Sequence, residues 1–281
     1  MKALKCVLSM AILIIAVGGC SKDSAISKDP VIVEENNPGK LIEVKSWYQS
    51  YTNGSISTSK KEWEYWKYDN SGKLLSSKTY ETYSYDNSSG YPITKVFTYD
   101  TDGTVNHCNI EQGASKFTKK YYYNMDKSIS SEEDWINSRL MDTHTFTYKE
   151  GKISEIHTDN WFAIYKYDAK SLPVTIDYFR SDKKPWVTHT YTYDDRGSLT
   201  KKSYHSLETG ARMVYYTAAY EYDNKGRVSK KTFRDGIGLD FDYEVVSQYN
   251  DKDQLLSQKI RTISNAVYSD WMYITYDYTY Q

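Results

Sequence analysis

The stretch YTYDDRGSLTKKSY at residues 191–204 returns as YEYDNKGRVSKKTF at 220–233 and as WKYDNSGKLLSSKTY at 66–80. Each copy carries an aromatic-x-aromatic pair, then Asp, then Gly three residues after that Asp. Alternation about YTY puts Tyr191 and Tyr193 on one face of a strand, with Thr192 and Asp194 on the other. Asp194, Asp195, Arg196 and Gly197 fit a type I turn, which favours Asp at its first position and Gly at its last. A three-residue loop closed in this way predicts Asp194 opposite Ser198 and Tyr193 opposite Leu199. The same register pairs Tyr68 with Leu74, Tyr99 with Val105 and Tyr222 with Val228. Tyr123 with Ile129 and Tyr249 with Leu255 keep the spacing without the Gly.

Taking the second aromatic of each pair as an anchor gives Tyr68, Tyr85, Tyr99, Tyr123, Tyr148, Tyr167, Tyr193 and Tyr222, with Tyr249 and Tyr276 as degenerate members. From Tyr167 onward the anchors are 26, 29, 27 and 27 residues apart, a period typical of repeat architectures. Two units depart from the pattern: TYKEGKI at 147–153 is one residue shorter, and YDAKSLPV at 167–174 has Ser171 in place of Gly and adds Pro173. Tyr204 and Phe233 fall on the opposite face from Tyr193 and Tyr222 unless a bulge intervenes, so aromatics are expected on both faces. No segment of useful length after the N-terminal region shows a helical period.

The units WKYDNSGKL, FTYDTDGTV, YTYDDRGSL and YEYDNKGRV resemble YD repeats of the RHS type. That resemblance implies an all-β chain of antiparallel hairpins forming an elongated, twisted open sheet, with ligand or carbohydrate binding at a cell surface. The chain lacks the core and toxin regions of the large family members and is expected to be too short for a closed shell.

The N-terminus speaks to the compartment. Lys2 and Lys5 precede an apolar run at 6–17, and VGGC follows at 17–20. The run is shorter than the roughly 20 apolar residues a spanning helix needs, so it reads as a secretory signal. Its ending resembles a bacterial lipobox, which implies cleavage after residue 19 and acylation of Cys20. SKD after Cys20 also resembles the export tags of Bacteroidota surface lipoproteins. The expected organisation is a signal at 1–19, a lipidated Cys and polar tether at 20–44, and the repeat domain at 45–281. A bacterial outer membrane, reached through lipid and facing outward, is the expected location.

Cysteine and charge then exclude several classes. Cys6 leaves with the signal and Cys20 carries lipid, so Cys108 is left as a small buried hydrophobe with no disulfide. Residues 20–281 hold 34 basic and 37 acidic side chains, a balance that disfavours nucleic acid. Thirty Tyr against a mean hydropathy of −0.73 point to phenol rings as the main apolar surface. A membrane-spanning barrel is disfavoured because alternate Leu, Val and Ile positions for a lipid-facing band are lacking.

No catalytic residue, metal site or cofactor is expected. The five His show no ligand spacing, and the turn acids Asp69, Asp100, Asp194 and Asp223 already serve their turns. SSEEDW at 130–135 could place two carboxylates about a sugar, but reads more simply as a solvated loop. Trp135, Trp161 and Trp186 lie between anchors and are the expected exposed rings, able to stack on a glycan. The expected function is a non-enzymatic surface lipoprotein that binds or scaffolds an envelope protein or extracellular partner. Glycan binding through exposed Trp and Tyr is the alternative and a glycoside hydrolase a distant one.

Overall fold

The computed structural model describes residues 40–52, 55–79, 92–207, 213–236, 242–264 and 267–281. Cys20 and the anchor Tyr85 lie outside them. Every element among the described residues is a strand: β1 (Leu41–Thr52), β2 (Ser55–Ile56), β3 (Lys61–Tyr68), β4 (Leu74–Thr79), β5 (Ile93–Tyr99) and β6 (Val105–Gln112). There follow β7 (Ser115–Tyr123), β8 (Ile129–Ile136), β9 (Arg139–Lys149), β10 (Lys152–His157), β11 (Trp161–Tyr167) and β12 (Pro173–Arg180). The chain ends with β13 (Pro185–Tyr193), β14 (Leu199–Ser206), β15 (Met213–Tyr222), β16 (Val228–Asp235), β17 (Asp242–Tyr249), β18 (Leu255–Ser264) and β19 (Val267–Tyr280).

From β3 onward each strand pairs antiparallel with the next. β1 joins β3 on one side and β19 on the other, from Leu41↔Tyr280 to Ser50↔Met272. The two-residue β2 pairs only with β1, so the other eighteen of the nineteen strands form a closed barrel. The open hairpin-repeat strip implied by the likeness to RHS-type YD repeats is therefore wrong. The seam between β1 and β19 leaves this sheet without a free edge, which is how barrels avoid edge-to-edge aggregation.

Local turn chemistry and a recurring irregularity explain the closure. At the turn after β13, Asp194 N donates to Ser198 O, and Asp194 Oδ1 accepts from the amides of Arg196 and Ser198. Gly197 takes a left-handed φ of 85°, and Ser171 takes 70° in a turn with the same hydrogen bonds, so the YDAKSL unit keeps its geometry at a conformational cost. Tyr193 pairs with Leu199 as the turn requires, but Thr192 pairs with Lys201, so Thr200 is bulged out. The same extra residue follows Tyr68, Tyr99, Tyr123, Tyr148, Tyr167, Tyr222 and Tyr249. Where it carries a hydroxyl, that hydroxyl can satisfy a facing carbonyl: Thr200 donates to Thr192 O, Ser229 to Glu221 O and Ser154 to Thr147 O. A bulge bends a strand and increases its twist. Eight of them at one height give the sheet a consistent curl.

The bulge also corrects the side-chain faces. Tyr204 pairs with His189 and Phe233 with Ala218, which puts both on the same face as Tyr193 and Tyr222. That face holds Val44, Trp66, Cys108, Ala163 and Ile260, all buried, and it is the inner wall. Two apolar clusters line it, one on β1, β3, β4 and β16–β19 and one on β8–β15. Neighbouring rings link Trp161, Tyr178, His189, Tyr204, Tyr216, Phe233 and Tyr243 across seven strands, with centroids 4.9–5.7 Å apart.

The repeated Tyr now has a reason. Tyr193 pairs with Leu199, and the carbonyl of Leu199 accepts the hydroxyl of the next anchor, Tyr222. The relation holds from Tyr99 on Leu74 O through Tyr123, Tyr148, Tyr167, Tyr193, Tyr222 and Tyr249 to Tyr278 on Leu255 O, at 2.7–3.0 Å. The last anchor is thus Tyr278; the hydroxyl of Tyr276 donates instead to Gln258 Oε1. A belt of phenols staples each pair of strands to the next at one rim.

Candidate functional site

The aromatic inner wall is interrupted on β7–β9 by five ionisable side chains. Alternation and register bring them together: Lys119 faces Asp134 across β7 and β8, while Glu132 faces His144 and Asp134 faces Asp142 across β8 and β9. SSEEDW is therefore strand, not a solvated loop. Glu132 and Asp134 point inward, while Glu133 and Trp135 point outward.

The Lys119 ammonium lies against Glu132 Oε1 and 2.8 Å from Asp134 Oδ1. His144 Nδ1 is 3.2 Å from Glu132 Oε1, and its Nε2 is 3.6 Å from Asp142 Oδ2 and 3.9 Å from Asp134 Oδ2. Lys119, Glu132 and His144 are all buried. Burial by itself would raise the Glu132 carboxyl, but the His144 hydrogen bond and the Lys119 charge outweigh it and hold Glu132 below its ordinary range. Burial likewise opposes the charge on Lys119, and the two carboxylates overcome it and raise the ammonium. Asp142 is raised, chiefly by desolvation. Cys108, on the neighbouring β6, is 1% exposed and its thiol is pushed up to about 11 by burial, which makes it an unreactive core residue.

The three sequence-selected tryptophans separate. Trp161 is 8% exposed on the inner wall against His144 and Tyr178, so it is not a surface ring. Trp186 is half-buried against the same cluster, with the Arg180 guanidinium 5.1 Å from its ring centre. Trp135 faces outward: Nε1 donates to Glu133 Oε2 at 2.9 Å, the same carboxylate oxygen accepts from Tyr122, and Lys120 Nζ sits 4.2 Å over the ring. Beside this group is a shallow depression lined by Asp100, Asp102, Thr104, Asn106, Lys120 and Tyr122.

The inward cluster escaped sequence reading because its members lie on three strands. The alternation Glu132/Asp134 against Glu133/Trp135 was the available signal, and bulges whose positions the turn motif does not fix obscured which side faced in.

No protein-family model matches the chain. No curated protein matches it in sequence. Among solved structures it is similar to a porin-like protein from Bacteroides uniformis, at 11% identity over 86% of this chain and 96% of that one, with a TM-score of 0.43. A porin-like protein from Bacteroides vulgatus aligns at 13% identity over 83% and 97%, with a TM-score of 0.37. A TcdB2–TccC3 structure aligns at 14% identity over 82% of this chain and 15% of that one, with a TM-score of 0.38.

Proposed function

We propose that the chain is a non-enzymatic barrel protein of the bacterial outer membrane, held there by acyl chains on Cys20, whose outer wall engages envelope or extracellular partners. One observation carries this reading: the phenol belt and both apolar clusters line the inner wall, while charged and hydroxyl side chains stand along the outer one. Lys45, Lys120, Lys166, Thr192, Glu221 and Asp277 all lie on the outward register. A bilayer-spanning barrel needs the reverse, an outward apolar band about 25 Å tall, and a Lys at the bilayer midplane costs about 2–4 kcal/mol. This wall suits water, so membrane attachment falls to the lipid, where two or more acyl chains suffice. Fractionation of a Cys20→Ala variant tests the reading. The variant should be folded and soluble without detergent; retention in the membrane after an alkaline carbonate wash would overturn it.

Glycan binding is the second reading, and the outward Trp135 favours it. Its ring lies with the Glu133 carboxylate, the Tyr122 hydroxyl and the Lys120 ammonium, a mixture of aromatic and polar groups of the kind that bind sugars. Trp135→Ala should abolish retardation on a polysaccharide affinity gel while the melting temperature holds. Unchanged retardation, or none in the native protein, removes this reading.

A further inference from the structure

Asp134 and Asp142 stand directly opposite each other across β8 and β9. Like charges in that position destabilise a sheet unless something answers them. Lys119 answers one carboxylate oxygen, Asp134 Oδ1, and with Glu132 fills the space on that side. On the other side Asp134 Oδ2 and Asp142 Oδ2 both approach His144 Nε2. That nitrogen has no hydrogen-bond partner, although its residue is only 3% exposed. An orphaned buried nitrogen aimed between two carboxylates calls for an explanation.

His144 is oriented for one. Its other nitrogen faces Glu132 Oε1, and that carboxylate holds the ring with Nε2 turned toward the aspartates. A carboxylate holding the far side of a histidine is the usual support of a metal-bound imidazole. Asp142 is fixed as well, because its Oδ1 accepts from the Thr143 amide and Oδ2 is left toward the ring.

We propose that His144 Nε2, Asp134 Oδ2 and Asp142 Oδ2 bind a first-row divalent cation of the Zn²⁺ type, with Glu132 as a positioning residue. Tetrahedral donors about 2.1 Å from zinc lie about 3.4 Å from one another, so the two His144 edges, at 3.6 and 3.9 Å, need to close by only a few tenths of an ångström, while the two aspartate oxygens start further apart and must swing together on binding. One nitrogen and two carboxylate oxygens suit zinc, with a fourth position left for water. Ca²⁺ takes six to eight oxygens and is poorly served by this set. The ion would tie β8 to β9 on the inner wall.

The test uses the mature full-length lipoprotein, without a histidine tag, extracted in detergent and stripped with chelator. Calorimetry and elemental analysis should find about one Zn²⁺ per chain, with Ca²⁺ failing to compete at equal concentration. Asp142→Asn and His144→Gln should each weaken zinc by at least about tenfold. Glu133→Gln, one residue away on the outward face, should leave affinity unchanged. If His144→Gln fails to fold, Asp142→Asn decides. Absence of stoichiometric zinc in the native chain, or undiminished binding in Asp142→Asn, would overturn the site.

Discussion

Removing the hydroxyl of Tyr193 by Tyr193→Phe deletes the 2.8 Å hydrogen bond to Pro173 O and leaves the ring in place on the inner wall. A net loss of about 1 kcal/mol follows for one such bond. Tyr148 on β9 and Tyr249 on β17, each four strands from Tyr193, make the equivalent bonds to Ile129 O and Val228 O. At about 4.8 Å per strand these sites are roughly 19 Å apart, far enough for their effects to add. The triple variant should therefore lose about 3 kcal/mol. Urea unfolding followed by tryptophan fluorescence measures the loss, and an unchanged m-value would show that the barrel itself is retained. Tyr122→Phe is the control: its hydroxyl meets Glu133 on the outer wall and the residue is 43% exposed, so the change should stay within about 0.5 kcal/mol. A triple variant as stable as wild type, or a Tyr122 loss equal to that at Tyr193, would refute the idea that the phenol belt staples the strands.

At the left-handed turn position, Gly197→Val should cost about 1–2 kcal/mol, read from the urea midpoint. Burial, and after it the neighbouring Lys231 charge, lowers Lys202 to about 8, so from there up to about pH 10 the unfolded chain holds a proton the folded chain lacks and stability rises with pH. Lys202→Met should therefore exceed wild type by up to about 3 kcal/mol at pH 7, with the gap closing toward pH 10; a constant gap would contradict the burial. Trp161→Ala should lose about 3–5 kcal/mol in the same unfolding assay, whereas outward Trp135→Ala should lose less than about 1 kcal/mol.

The turns were legible because their rules are local. Asp at the first turn position and Gly at the last dictate Tyr193 opposite Leu199 with no knowledge of the rest of the chain. The next step was not legible: nothing in SLTKK marks Thr200 as the residue that drops out of the ladder, yet that slip decides whether Tyr204 faces in or out. Closure was further from view, since the strand at 41–52 meets the strand at 267–280 only after eight bulges have curled the intervening wall. The polar inner cluster followed the same logic. Lys119, Glu132 and His144 are 12 or 13 residues apart in sequence, and only the three-strand register makes them neighbours. The exposure expected of Trp161 failed because a strand start looked like a connecting segment, whereas Trp135, expected at the surface on the same ground, faces outward.

Closure is the claim on which the inner wall, the phenol belt and the polar exterior all depend. Cysteines placed at Glu43 and Thr279, paired outward residues of β1 and β19, test it directly in a Cys108→Ala background. Directly opposed strand residues lie about 4.5–5.5 Å apart at Cα, within disulfide reach. The ends of an open strip of eighteen strands would stand roughly 80 Å apart. Mild oxidation of the closed barrel should give an intramolecular disulfide in monomeric protein, detected by intact mass and by faster migration on a non-reducing gel. Free thiols after oxidation, or disulfide-linked dimers alone, would contradict the closed barrel.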